Sequence, residues 1–261
     1  MLVKLILSSY LMLLFLLTNG DAQAGELAER LANFPHWEKL TSVKPAEGDL
    51  VYPDWMAGTW QVTSTLVDLA APLAPDIITP GFEGNRSQLN QPVSFLVRFV
   101  KVKPQIFGIK TLPKIDNQSG ILVADRVFNS LNLSKAYLGD KAVLAVKVDP
   151  ESPNRQITLF RGERQLVSLV TARTTENTPN QFITTEVFQQ YFKGGSRAYF
   201  NTVESTTAYH LFSRANPKIE ADQVTAVYLS PQDPDYFTAG SRPVALYRYR
   251  LEFVPSVQSN Q

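Results

Sequence analysis

The chain has 261 residues, with 25 Lys and Arg against 24 Asp and Glu and a net charge of +1. That balance removes the electrostatic case for a nucleic-acid partner or an anionic membrane surface. There is no cysteine, which excludes thiol nucleophiles, thiolate zinc sites, iron–sulfur clusters and disulfide staples and leaves the core alone to hold the fold.

The N-terminus carries one cation, Lys4, then an apolar run from Leu5 to Leu17, then Ala22-Gln23-Ala24. This is the charged, apolar, small-x-small order of a secretory signal peptide over residues 1–24, with cleavage expected after Ala24. A membrane anchor needs roughly 20 apolar residues; the run is shorter, and no Cys follows it to take a lipid. The expected mature chain begins at Gly25 and is exported with no transmembrane anchor. It is long enough for one large all-β domain or two small ones, with a real core.

In ELAERLAN, 26–33, Leu27 and Leu31 stand four apart, which predicts a short helix stopped by Pro35. The stretch to residue 57 has further prolines at 45 and 53. It reads as an extended wrap, so 25–57 forms an N-terminal helix and wrap. From Gly58 to Pro255 the dominant period is two. Trp60, Val62 and Leu66 share a face in GTWQVTSTL, and Val93, Phe95, Val97 and Phe99 share one in VSFLVRFVK. AVLAVKV, RQITLFR, RQLVSLVTAR, FITTEVFQQYF, AYFNTVESTTAYHL, QVTAVYL and VALYRYRLEF follow. Short turns such as DPESPN and GE join several of them. About nine strands at this spacing predict an antiparallel sheet, closed as a barrel or folded as a sandwich. Two segments interrupt the pattern. Residues 68–92 are Pro-rich but keep Leu, Ile and Phe, which predicts an ordered flap. In 125–139, Asp125 is placed to cap a helix and Gly139 to end it, with Val127, Leu131 and Leu138 at helical spacing. The polar tail, 256–261, is expected to fray.

Gly58 allows a sharp entry into the first long strand, and Trp60 then points inward to plug the narrow end of a barrel. Arg248 and Arg250, on one face of the last strand, offer a cation to stack over Trp60 at about 0.5–2 kcal/mol. This Gly-Thr-Trp opening, the long loop after strand one and the Arg-bearing final strand resemble the lipocalin and fatty-acid-binding superfamily. DLVYPDWMAGTWQVTSTLVDLAAPLAPDIITPGFE, ADRVFNSLNLSKAYLG, VKVDPESPNRQITLFRGERQLVS and ESTTAYHL together are similar to an uncharacterised family of exported cyanobacterial and plastid proteins. The resemblance implies an all-β, antiparallel up-and-down, lipocalin-like (calycin) barrel with one or two short helices over 58–255. It also implies a periplasmic or thylakoid-lumen location. It brings no established activity, hence no catalytic residue.

The leading expectation is a non-enzymatic barrel that binds an apolar or amphipathic small molecule, a lipid or pigment, without a cofactor. Trp60, Val62, Phe95, Val97, Phe99, Leu144, Val146, Ile157 and Leu159 are the expected interior wall, with the flap over the mouth; the alternative is that they fill the barrel solidly. Arg248 and Arg250 are the candidate polar anchors, since Arg248-Tyr249-Arg250 echoes the Arg-x-Tyr that holds a carboxylate in fatty-acid binders; the alternative, which the cost of burying an unpaired Arg favours, is that they stack on Trp60 or lie solvated outside. A second expectation is an assembly factor for a thylakoid membrane protein complex, acting through the flap and the wrap. A third is a hydrolase or isomerase using Glu186 and Glu204 as a carboxylate pair on neighbouring strands, or Tyr199 and Tyr209. His36 and His210 lie far apart and make a poor metal set. Asp233 and Asp235 around Pro234 read as a turn, and Gly194-Gly195 as a hairpin. No Gly-x-Ser-x-Gly elbow occurs.

Overall fold

The computed structural model describes residues 25–77, 81–103, 120–195, 198–213, 215 and 217–256. The signal-peptide assignment to 1–24 and the tail from residue 257 fall outside the described residues. Ten strands form one antiparallel meander: β2 (Gly58–Ala70), β3 (Pro92–Val102), β4 (Ile121–Ala124), β5 (Val143–Asp149), β6 (Ser152–Phe160), β7 (Gln165–Asn177), β8 (Gln181–Lys193), β9 (Tyr199–Ser213), β10 (Lys218–Leu229) and β11 (Ala245–Pro255). A two-residue β1 (Lys44–Pro45) pairs with β7. Among the described residues four short helices accompany them: α1 (Glu26–Ala32), α2 (Phe82–Arg86), α3 (Arg126–Leu138) and α4 (Tyr236–Ala239).

The order across the sheet is β4-β3-β2-β11-β10-β9-β8-β7-β6-β5. The first and last long strands, β2 and β11, pair with each other, and the sheet curls into a half-barrel. Its two edges are β4 and β5, and among the described residues no ladder joins them. Helix α3 sits in that gap and packs against both β3 and β5. Asp125 caps it by accepting from Phe128 N at 3.1 Å, and Gly139 ends it at φ +87. Sequence reading missed β4: ILVA is too short and too uniformly apolar to show a period of two.

Strand alternation places each side chain. On β2, Trp60, Val62, Ser64 and Leu66 are the buried, concave set. Register then carries Tyr249, Leu251 and Phe253 of β11 to the same face. Arg248 and Arg250 therefore point to the convex side, which corrects the expectation that one of them stacks over Trp60. The Trp60 indole N–H instead donates to the Met56 carbonyl at 2.9 Å, and Phe253 meets the ring edge-on. Arg248 grips Asp222 through two bonds of 2.9 and 2.6 Å on the outer surface.

One end of the half-barrel is closed from within by the wrap. Leu50, Met56, Trp60, Phe99, Leu122, Phe182, Leu211, Ile219 and Phe253 form a single buried cluster there, with Tyr52 and Trp55 against it. At the opposite end the described residues of the flap pack onto the sheet. Its Phe82 packs on Leu66, Ala245 and Tyr247, and its Leu73 and Ile77 on Leu229 and Val244.

The convex face is covered by α1 and the start of the wrap, where Leu27, Leu31, Trp37 and Leu40 lie over Ile183, Val224, Ala226 and Leu246. Beneath them Glu204 is fully buried. Its carboxylate accepts from Arg30 Nη2 at 2.6 Å, Trp37 Nε1 at 3.2 Å, Leu40 N at 3.2 Å and Tyr228 Oη at 3.4 Å. A buried charge is tolerated when it is paired and bonded in this way. Glu204→Ala leaves the Arg30 guanidinium and the Trp37 N–H without their acceptor. We expect a loss of about 3–5 kcal/mol in urea unfolding; a loss under about 1 kcal/mol, the range of exposed ion pairs, would show that Glu204 does not pin the N-terminal segment.

Candidate ligand site

Between the two apolar ends the concave face turns polar. Two consecutive cross-strand rows run Tyr249–Gln223–Thr207–Thr184 and Tyr247–Thr225–Ser205–Glu186–Arg173. Gln223 Nε2 donates to Ser205 Oγ at 2.7 Å. Tyr249, Gln223, Thr225 and Ser205 are only half-buried although they face inward, so the middle of the half-barrel is not packed solid. Thr184 Oγ1, Glu186 Oε1, Asn201 Oδ1 and Arg173 Nε are buried and carry no hydrogen bond. Buried polar atoms are normally bonded; Glu186 Oε1 lies against two guanidiniums, so the unused hydrogen-bonding capacity of this belt is chiefly at Thr184 Oγ1 and Asn201 Oδ1.

Helix α3 forms the fourth side of the site. Ser130 Oγ donates to Gln156 Oε1 at 3.0 Å, and the Tyr137 hydroxyl meets Ser64 Oγ at 3.1 Å. Leu133 lies between them at helical spacing; it and Tyr137 remain 41% and 42% exposed. The helix is fixed to the β3 edge by Asn129, whose amide exchanges bonds of 2.6 and 3.1 Å with the Arg98 backbone, as a strand neighbour would.

Arg126, at the helix start, enters a four-charge network. It donates to Asp49 Oδ1 at 3.0 and 2.8 Å and lies 3.6 Å from Glu186 Oε1. Arg173 lies 3.2 Å from the same oxygen, donates to the Gly48 carbonyl at 3.1 Å, and bonds Asn154 Oδ1. Two guanidiniums and two carboxylates cancel, so the network holds elements together and presents no free acid or base. Burial against the network pushes up the phenols of Tyr52 and Tyr209, with Glu186 adding to both.

The Glu186–Glu204 pair does not exist. Register sets Glu186 opposite Ser205 and Val187 opposite Glu204, so the two acids occupy opposite faces of the sheet. Tyr199 and Tyr209 share a face of β9 but are ten residues, about 33 Å, apart. The expected interior wall also divides. Trp60, Val62, Phe95, Val97, Phe99 and Val146 face inward. Of these Trp60, Val62 and Phe99 are packed core, 3%, 1% and 6% exposed. Leu144 is exposed, and Ile157 and Leu159 take the convex parity of β6, opposite Lys147 and Ala145. A bulge between Val143 and Ala145 shifts the phase of β5 and turns Leu144 out; Ile157 and Leu159 are placed by the register of β6 on β7, opposite Val167 and Gln165.

The open mouth lies at the flap end. The flap covers the β2, β10 and β11 side of that rim, and the other side holds a cavity of about 440 Å³. Leu138, Phe160 and Phe192 form its apolar wall, and Arg164 and Lys193 its rim. Along β8 the same inward face continues from Phe192 to Gln190 and Phe188, both half-buried. At the rim the β8 hairpin presses on the neighbouring turn: a Cβ on Gly194, at φ +88, would stand 2.5 Å from the Glu163 carbonyl oxygen. Sequence reading missed this group. Phe160 and Phe192 were visible as strand residues, but nothing local tells which aromatic lines an opening and which fills a core.

The fold is thus an all-β antiparallel half-barrel, filled at one end, polar at its waist and open on one side of the other end. The chain belongs to the family described as a domain of unknown function (DUF6816), matched over residues 44–257. That span holds every strand, the flap and α3, and leaves α1 outside. No curated protein and no solved structure matches the chain. Among the described residues no helix is long and apolar enough to cross a membrane.

The raised phenols set an alkaline limit. An unfolded tyrosine ionises near about pH 10, while burial holds Tyr52, Tyr209, Tyr228 and Tyr249 protonated beyond that. Below about pH 10 their contribution is constant; above it the unfolded chain loses protons first, so stability falls with rising pH. We expect urea midpoints to drop between about pH 10 and pH 11, with a shallower drop in Tyr209→Phe. Identical slopes in the two proteins would contradict the assignment of Tyr209.

Proposed function

We propose that the protein is an exported, non-enzymatic carrier that holds one amphipathic small molecule, a lipid or pigment, in its half-barrel. The periplasm or thylakoid lumen of a cyanobacterium or plastid is its proposed setting. Its proposed architecture is lipocalin-like, with α3 spanning the gap that a strand ladder spans in a closed barrel. The observation that carries the reading is the mouth between Leu138, Phe160 and Phe192, with Arg164 and Lys193 on its rim and a polar, incompletely bonded belt below. Apolar walls with a few polar anchors are what a small-molecule site requires. The acidic and basic side chains of the interior neutralise one another, which favours binding over catalysis. An amphipathic ligand fits better than a wholly apolar one, because the apolar residues of the Trp60 end are occupied by the protein's own core.

Native mass spectrometry of the protein purified from its source, followed by organic extraction, tests this. A stoichiometric lipid or pigment adduct is the expected result. Phe192→Ala and Leu138→Ala should weaken uptake at least about tenfold, whereas Ile157→Ala on the convex face should not. A clean apo mass with no uptake of offered lipids would remove the carrier reading. Function would then pass to the surface, where Phe237 of α4 stands 89% exposed, and to the assembly-factor reading.

A further inference from the structure

Gly25 is the first described residue and the N-cap of α1, with φ −65 and ψ 163 and no side-chain cap of its own. The cap comes from across the sheet. Glu176, on the convex face of β7 beside Ile183, accepts from Leu27 N at 2.8 Å. The same carboxylate stands against Gly25: a Cβ at that position would lie 2.1 Å from Oε2 and 2.6 Å from Oε1. Backbone nitrogen and Cβ are both substituents of the same Cα, about 2.5 Å from each other. The Gly25 nitrogen is therefore within about 5 Å of the Glu176 carboxylate. Among the described residues no Lys or Arg forms an ion pair with Glu176.

In the uncleaved chain that nitrogen is a neutral amide. Hydrolysis of the Ala24–Gly25 bond adds one water: the carbonyl carbon leaves as the Ala24 carboxylate, and the nitrogen becomes an α-amine that takes up a proton. We propose that this new α-ammonium at Gly25 pairs with Glu176, so that removal of the leader completes the clamp that holds α1 on the convex face. The inference rests on the export reading above. A positive charge at a helix start is disfavoured by the first-turn N–H groups, so an ammonium there needs a nearby acid; Glu176 supplies it. The clamp closes over the Leu27 and Leu31 contacts and the Arg30–Glu204 pair, so the pair tightens α1 only once the leader is gone.

Two measurements test it. The intact mass of the exported protein should show Gly25 as the first residue; another start overturns the proposal at its processing premise. Separately, recombinant protein beginning at Gly25, released from a tag without extra residues, is compared with the same protein selectively acetylated on its α-amine. The unfolded α-amine titrates near about 7.7–8.0, and Glu176 raises the folded value. The stabilisation is therefore complete below the unfolded value and lost as pH rises through the folded one. Acetylation should lower Tm by about 1–3 °C at pH 7 and have no effect at about pH 10. In Glu176→Gln, which also loses the Leu27 cap and so melts lower in both forms, acetylation should no longer destabilise. It should be neutral or slightly stabilising, since only the helix start then faces the charge. Equal Tm for free and acetylated wild-type protein at pH 7, or an acetylation effect that survives Glu176→Gln, would overturn the pairing and leave the export reading standing.

Discussion

A curled sheet whose edges β4 and β5 do not meet is bridged here by α3, and the Arg126–Glu186–Arg173–Asp49 network anchors the start of that helix. It ties two segments outside the main sheet path, the wrap and the start of α3, to the paired strands β7 and β8. Each member is 11–17% exposed, so its charge has left most of its water. Such charges are stable together and costly apart, because removing one leaves its partners buried and uncompensated. The position of α3 follows from this network and from the Asn129 amide that stands in for a strand at the β3 edge. The polar waist and the open mouth follow in turn from where α3 lies.

The same logic operates on the other side of the sheet. Glu204 on β9 does for the N-terminal segment what Glu186 on β8 does for α3. Each acid faces a guanidinium brought by a segment outside the sheet, Arg30 in one case and Arg126 in the other. The two glutamates lie on paired strands, one residue out of phase, and that single step sends one carboxylate to the concave face and the other to the convex face. Two acids that could be read as a catalytic pair are two separate anchors, one for each surface of the wall.

The apolar residues divide by depth, and this division is what supports the amphipathic ligand proposed for the half-barrel. At the Trp60 end they come from both sheet and wrap and fill the space at core density. At the mouth they come from β6, β8 and the end of α3 and leave space. The belt between them is rich in Ser, Thr, Gln and Tyr, which bind by hydrogen bonds and aromatic contact rather than by charge. A molecule with one apolar and one polar part matches that gradient.

Much of the architecture was legible in the sequence. Period-two alternation in 58–66 and 93–99 determined which of those residues face inward, because side chains on a strand alternate without exception until a bulge. The Asp125 cap and Gly139 stop bounded α3, and the apolar residues within 68–92 marked a segment whose Leu73, Ile77 and Phe82 pack onto the sheet. What needed tertiary structure depends on phase or on distant partners. The bulge between Val143 and Ala145 put Leu144 outside, and the register of β6 on β7 put Ile157 and Leu159 on the convex face. The parity of β11 relative to β2 put Arg248 and Arg250 outside and gave Trp60 a carbonyl instead of a cation. The Val127–Leu131–Leu138 spacing marked the helix but not its contacts: α3 is held through polar contacts of Arg126, Asn129, Ser130 and Tyr137, and Leu138 borders the mouth. Local sequence determined the elements and their faces; only the assembled sheet decided which aromatic fills the core and which borders the opening, because that depends on what the opposing strands leave unoccupied.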